Sequence, residues 1–516
     1  MTSTHQIIPA PLDYSARAGR FTIGPAARIV TACDEAAAAG RLLGGYLQTA
    51  GIDVTTGSDG SAAITLSADG EPNYDEAGFT DESYTIDVAP DGCRLSAPNR
   101  EGLARAVQTF RQLLPPSALA GAAGPVDIAC CTICDAPRFR WRGLHLDVCR
   151  HFFPIDDVKR FIDLAALHRY NRIHLHLTED QGWRVQIERF PRLTEVGSVR
   201  PETLVGHFND KPHRFDGTPH GGFYTQDQLR DLVRFASERE VVLVPEIDMP
   251  GHMQAAVAAY PEWGCTGNQI GIREIWGISQ DILNVEESTV TAMEQILDEL
   301  LGIFPSRFIH VGGDEVPKYQ WTHSKRVQER MREIGVRDEH ELQSWFIRRM
   351  DTFLQSKGRR TLGWDEILEG GLAPGATVMS WRGEAGGIEA AKMGHDVVMA
   401  SNTHTYFDYY QDMPTDEEPL TIGGFLPTGK VYSYEPIPAE LSEEEARHVL
   451  GAQGQLWSEY IPDRDRLDYM TYPRAVALAE VVWTAKDRRS YRSFLERLAV
   501  HRERFAALGV KAHPRP

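Results

Sequence analysis

Asp314 and Glu315 stand side by side at the end of HVGGDE (310–315), after two glycines and an apolar run, RFI, of strand character. Neighbouring carboxylates repel, and the repulsion raises the proton affinity of one of them. Paired carboxyl groups are what glycoside cleavage requires: one protonates the departing oxygen while another group stabilises the anomeric carbon. In the common retaining design the two stand about 5 to 5.5 Å apart on opposite sides of the bond. Adjacent residues on one loop seldom straddle a sugar, so this pair reads as an acid and a helper on the same side. The nucleophile is then unassigned, unless the substrate carries its own. A 2-acetamido sugar does, because its carbonyl oxygen can close an oxazolinium ring on the anomeric carbon. Asp314 would accept the acetamido N–H and balance the charge developing there. Glu315, beside that anion, would keep its proton near neutral pH. The competing reading is a solvated loop end or a helix N-cap, where acids are common.

The elements that must position this pair divide the chain in two. All ten tryptophans lie between 141 and 483, and seventeen of the eighteen histidines lie from 145 onward. The front, 1–136, alternates strand candidates (AAITLSA, SYTIDVA, CRLSAP) with helical runs near 34–50 and 101–114, and APDG is a hairpin signal. It reads as a small α+β domain. From 137 to 516 a short apolar strand is repeatedly followed by a helical pattern: GLHLDV, RIHLHL, VVLVPEI, RFIHVG, RTLGW, TVMSW, DVVMA and GAQGQLW, with helices expected at 156–169, 226–239, 339–357, 384–393 and 466–483. Eight such units predict an α/β fold, a closed (β/α)8 TIM barrel, since parallel strands need helical crossovers and closure removes the edges. The tail 489–510 has helical periodicity and predicts a packing helix. The segments 181–225 and 253–285 read as irregular substrate loops.

Barrel chemistry sits at the C-terminal ends of the strands, and the polar residues of this chain gather there. Arg150 follows the first strand, Asp180 the second, Asp248 and His252 the third, and the acid pair the fourth. Trp364 and Asp365 end the fifth and Trp381 the sixth; Tyr406 and Asp408 follow the seventh, and Trp457 and Glu459 lie at the eighth. Aromatic faces suit the apolar C–H faces of pyranoses, and charged bidentate groups suit hydroxyls. Three tryptophans at strand ends therefore point to a sugar pocket rather than to barrel filling.

Composition excludes other partners. A net charge of −19 and a pI near 5.4 lack the basic footprint that nucleic acid or an anionic membrane requires. The expected partner is a small oligosaccharide or glycoconjugate; the oligomeric state is left open. The first residues lack the pattern of a signal peptide and no stretch is apolar enough to span a bilayer, so a cytoplasmic location is expected unless an upstream leader was trimmed. Seven cysteines, an odd number without a framework spacing, suit a reducing compartment. Cys131 and Cys134 have the spacing of a zinc or redox motif, yet no second pair completes four ligands, so they read as strand residues. His174 and His176 alternate on one strand with Asp180 beyond them. They could belong to a metal site or be hydrogen-bonded barrel histidines; no complete ligand set stands out, and no metal or cofactor is expected.

HVGGDE, with RGLHLDVCRHFFP (142–154), HLHLTEDQGWR (174–184), PEIDMPGH (245–252), GWDEI (363–367) and QLWSEY (455–460), resembles the β-N-acetylhexosaminidases of glycoside hydrolase family 20. The motifs follow in order along the barrel, and the front resembles the small domain that precedes it in that family. The resemblance implies Glu315 as acid and then base, Asp314 polarising the acetamido group, and Tyr406 bonding its oxygen. Trp364, Trp381 and Trp457 would wall the pocket. Arg150 would hold the 3- and 4-hydroxyls, and Asp408 and Glu459 the far hydroxyls. Asp180 and His252 would be the pair tuning the acid. Asp147, Glu246, Asp248, His310 and Asp365 would hold these groups in place, while Cys149 would have no catalytic role and Cys265, without an evident partner, would mark a variable rim. The implied activity is removal of terminal non-reducing β-linked N-acetylglucosamine, and its galactosamine epimer, with retention through an oxazolinium. A metal-dependent barrel hydrolase and a non-catalytic sugar-binding protein are the alternatives.

Overall fold

The computed structural model describes residues 5–24, 26–57, 64–121 and 124–516. The front of the chain forms a seven-stranded mixed sheet running from Asp13–Ile23 to Val126–Asp135, with the helices Asp34–Thr49 and Arg100–Leu113 against it. Tyr84–Ala89 and Gly92–Ala97 pair antiparallel across the expected APDG turn. Cys131 and Cys134 lie in the last strand, one buried and one exposed, as alternation on a strand requires.

Eight parallel strands close a barrel: Trp141–Asp147, Arg172–His176, Val242–Glu246, Phe308–His310, Arg360–Trp364, Thr377–Ser380, Val397–Met399 and Val449–Gly454. Each overlaps one of the eight apolar runs read from the sequence. Some of the helices between them start at side-chain caps. Thr225 and Gln228 form a reciprocal capping box before Gln226–Ser237, and Asp338 accepts two backbone N–H groups at the start of Glu339–Ser356. One helix was not singled out from the sequence and one expectation is corrected. Glu287–Leu301 is a full helix after the third strand, and 466–483 is two helices, Arg464–Thr471 and Arg474–Trp483, because Pro473 cannot continue the first. The loop 181–225 carries two short strand pairs, Val199–Arg200 with His220–Gly221 and Leu204–Val205 with Arg214–Phe215. The tail helix is Tyr491–Ala507. Among the described residues no helix is long and apolar enough to cross a membrane.

The barrel floor is an apolar layer of Trp141, Val244, Phe308, Leu362 and Val398, closed from below by Phe79 of the front sheet's connecting loop. The Phe79 and Phe308 rings are 6.3 Å apart, and the Arg172 guanidinium lies 4.6 Å from the Phe79 ring. Buried charge joins the two parts: Glu82 takes Arg105 and Arg142, Asp163 takes Arg111 and Arg239, and Asp135 takes Arg169. Above the floor the inward residues turn polar. Glu246 stands in register with His176 on one side and His310 on the other.

Candidate active site

At the C-terminal mouth a cavity of about 160 Å³ is lined by Arg150, Glu179, His252, Asp314, Glu315, Trp364, Trp381, Tyr406, Asp408, Tyr409, Ile422, Trp457 and Glu459. All the residues singled out from the sequence as catalytic or sugar-binding line it, with one exception, Asp180. Larger hollows exist elsewhere. One of about 930 Å³ lies at the opposite mouth between Arg307, Arg360 and His395; its lining includes the adjacent acids Asp75 and Glu76 but no tryptophan, tyrosine or phenylalanine.

The acid pair owes its position to the two glycines. Gly312 and Gly313 have φ of +68° and +92°, and a Cβ on Gly312 would sit 1.6 Å from Asp248 Oδ1. No other residue fits there, so the chain turns sharply off the fourth strand. Glu315 itself has φ +48°, and His252, facing it, has φ +54°. Each of these non-glycine left-handed residues carries strain on the order of 1 kcal/mol or more, and in return the two side chains meet. His252 Nε2 lies 3.7 Å from Asp314 Oδ2 and 3.6 Å from Glu315 Oε2. Burial would strip the His252 proton, but the Glu179 and Asp314 carboxylates outweigh it and hold the imidazole well above its ordinary pKa. Asp314 is pushed up to about 6, chiefly by burial, with His252 opposing and the Glu315 charge adding. Asp314 is the more buried of the two.

The expected partner of His252 is corrected. Its Nδ1 bonds to Glu179 Oε1 at 2.8 Å, whereas Asp180 Oδ2 is 3.9 Å away. Asp180 instead accepts the backbone N–H groups of Gln254 and Ser279, each at 3.0 Å, and so ties two loops to the second strand. A two-residue hairpin, Thr178–Glu179 against Gly182–Trp183, turns Glu179 inward and Asp180 away. Glu179 Oε2 also lies 3.1 Å from Arg150 Nη2. Burial opposes ionisation of Glu179, but Arg150 and His252 hold its carboxyl well below the usual range.

Arg150 is clamped further by Asp147 at 3.1 Å and Gln181 at 3.2 Å, with Glu459 at 3.9 Å, and it lies over the Trp457 ring at 5.0 Å. Asp408 and Glu459 are buried acids whose pKa values are raised, Asp408 by burial and then by the Glu459 charge, Glu459 by burial against the pull of Arg150. Each keeps one buried oxygen without a hydrogen-bond partner, as does Asp314. Buried polar atoms are normally satisfied, so three such acids around one cavity mark places where a polyhydroxylated ligand would bond. The aromatic wall is fixed by its N–H groups. Trp364 Nε1 donates to Glu246 at 2.9 Å and Trp381 Nε1 to Glu366 at 2.8 Å, and the Trp457 ring lies 5.7 Å from that of Trp364. Tyr406 and Trp381 stack at 6.1 Å. Tyr409 and Ile422, which no sequence pattern singled out, complete the rim from the loop after the seventh strand.

His174 and His176 resolve as hydrogen-bonded groups. His176 Nδ1 is 2.5 Å from Glu246 Oε2 and its Nε2 is 3.0 Å from Glu179 Oε2, and Gln453 bonds His174. Several histidine and carboxylate sets here are close enough to share an ion; the hydrogen bonds engage both nitrogens of His176, while His145, His174 and His310 each keep one ring nitrogen without a hydrogen-bond partner. Asp147, Asp248 and Asp365 each accept backbone N–H groups of the mouth loops. The Cys149 thiol is fully buried, donates to the His176 carbonyl and has its pKa pushed well up by burial.

Two family models match the chain: "Glycosyl hydrolase family 20, catalytic domain" over residues 139–486 and "Glycosyl hydrolase family 20, domain 2" over 4–136. A beta-hexosaminidase of Porphyromonas gingivalis is 41% identical over 515 residues, covering 98% of this chain and 64% of that protein. One from Vibrio furnissii is 36% identical, covering 81% of this chain and 67% of the relative. The chain thus spans about two thirds of the length of these relatives. Among solved structures, the exo beta-N-acetylglucosaminidase of Vibrio harveyi in complex with N-acetylglucosamine superposes with a TM-score of 0.86 at 32% identity, covering 99% of this chain and 79% of that one. A mutant Streptomyces plicatus beta-hexosaminidase in complex with its product, GlcNAc, gives 0.85 at 32% identity, covering 99% and 97%.

Proposed function

The chain belongs to glycosyl hydrolase family 20, and on that premise we propose that it is an exo-acting β-N-acetylhexosaminidase that works with retention by substrate-assisted catalysis. The observation that carries this is the placement of the two acids. Asp314 and Glu315 approach the same His252 nitrogen, at 3.7 and 3.6 Å. They therefore reach the cavity from one side and cannot act as nucleophile and acid across a bond. The attack falls to the sugar's acetamido oxygen. Asp314 accepts the acetamido N–H, the Tyr406 hydroxyl meets its oxygen, and Trp364, Trp381 and Trp457 hold its methyl group and the sugar face. Glu315 delivers a proton to the leaving oxygen and then takes one from water. Arg150, Asp408 and Glu459 hold the ring hydroxyls, and a small, walled cavity admits one terminal sugar.

The test is hydrolysis of nitrophenyl N-acetylglucosaminide and its galacto epimer, with the anomer of the first-formed product read by NMR. The β-anomer is expected, a thiazoline analogue of the oxazolinium should bind far more tightly than N-acetylglucosamine, and exhaustive EDTA treatment should leave the rate unchanged. Equal cleavage of the plain glucoside would overturn the mechanism, and loss with EDTA would favour a metal hydrolase. We further propose a reducing, cytoplasmic setting, supported by the odd number of cysteines. Seven thiols should be alkylated in freshly denatured protein without reductant.

A further inference from the structure

Beneath the cavity one carboxylate touches more of the site than any role so far accounts for. Glu246 ends the third barrel strand, is wholly buried, and has no lysine or arginine partner among the described residues. Its Oε1 accepts the Trp364 indole N–H at 2.9 Å, and its Oε2 lies 2.5 Å from His176 Nδ1 and 3.0 Å from His174 Nε2. The ring of His310, the first residue of the HVGGDE run, is 2.8 Å from Oε1. Burying an isolated carboxylate is costly, so it needs this many polar neighbours. Burial works against its ionisation, but His310, His176 and His174 hold the carboxyl well below its usual range.

His176 has a carboxylate at each nitrogen, Glu246 at 2.5 Å and Glu179 at 3.0 Å. With an acceptor on both sides, the ring carries both protons as an imidazolium, the form its raised pKa favours. His174, in contrast, is pulled down to about 4 by burial. An alternating line of charge therefore runs outward from the barrel interior: Glu246, His176, Glu179, His252, and then the acid pair. We propose that Glu246 is a positioning residue for both halves of the reaction. Through Trp364 it sets the wall against which the acetamido group turns, and through His176 and Glu179 it sets the imidazole that faces the acid. It touches neither substrate nor reacting atoms.

The inference rests on the glycosidase reading above, and its test separates the two. Glu246→Gln keeps a carbonyl to accept from Trp364 but removes the charge that holds the His176 imidazolium. On chitobiose, whose leaving group needs a proton, kcat/KM should fall about 10- to 100-fold. On 2,4-dinitrophenyl N-acetylglucosaminide, whose leaving group needs none, it should fall by less than about threefold. N-acetylglucosamine binding should be retained. In a Glu315→Gln background the same change should add nothing, because the acid it serves is gone. His176→Gln should reproduce the pattern and carries the test if Glu246→Gln does not fold. Equal losses on both glycosides, or additive losses with Glu315→Gln, overturn the role of Glu246. A wild-type protein inert on both glycosides defeats the glycosidase reading itself.

Discussion

At the scale of single residues, the site works by giving two adjacent carboxyl groups different surroundings. Asp314 is buried against His252, while Glu315 keeps about a third of its side chain exposed. Glu315→Gln should lose about 10² to 10⁴ in rate on chitobiose and much less with a dinitrophenyl leaving group, in steady-state assays on both. In the proposed mechanism Asp314 must be ionised to accept the acetamido N–H. Its pKa stands at about 6 rather than at the ordinary 3.8, so protonation on acidification disables the free enzyme where an ordinary aspartate would still be charged. The kcat/KM profile should therefore show an acid limb near pH 6. In Asp314→Asn that limb should vanish along with most of the activity; a limb that persists would assign it to another group. Misreading Asp180 as the partner of His252 belongs to this scale too. The two acids in TED are equivalent by type, and only the hairpin decides which one faces inward.

At the scale of elements, short barrel strands followed by sharply turning loops do the positioning. The fourth strand is only three residues, and its loop turns at Gly312 and Gly313, where positive φ and close neighbours, the Asp248 carboxylate at Gly312 and Ile367 at Gly313, exclude any side chain. Gly312→Ala should push that loop away by more than the reaction tolerates, with a loss of about 100-fold or more in kcat/KM. Thermal unfolding of the same variant separates misplacement from unfolding. The long loops are fixed from several strands at once. Phe208 N–H bonds the Tyr460 hydroxyl at 2.9 Å, His207 stacks on Tyr460, and His207 reaches the Ile422 carbonyl. These contacts bring the rim residue Ile422 to the pocket.

At the scale of the whole molecule, the front sheet is bound to the barrel by buried charge more than by a flat apolar face. Asp135 takes the Arg169 guanidinium, the Trp483 indole N–H at 3.0 Å and the Tyr84 hydroxyl at 2.6 Å, all buried. Asp135→Ala strands Arg169 without its carboxylate, which should cost roughly 3 to 5 kcal/mol of stability. Urea unfolding measures this, and KM of the remaining folded protein should be unchanged because the site is at the other end of the barrel. An altered KM would show that the front domain shapes the pocket.

The sequence by itself determined the barrel, because short apolar strands recur eight times, most of them followed by a helical pattern, and each strand carries its chemistry just past its own end. It also pointed to Asp314, Glu315, Arg150, Tyr406, Asp408, Glu459 and the tryptophans as residues of the candidate site, since each ends or follows a strand, and all of them line the cavity. Tertiary structure alone decided that Glu179 and not Asp180 meets His252, that Tyr409 and Ile422 close the rim, and that Glu246 joins Trp364 to His176. Those facts depend on how a loop turns and on which strands stand side by side in register. Residues such as His176, Glu246 and His310 are more than sixty positions apart along the chain, and only the side-by-side pairing of their three strands in register brings them together.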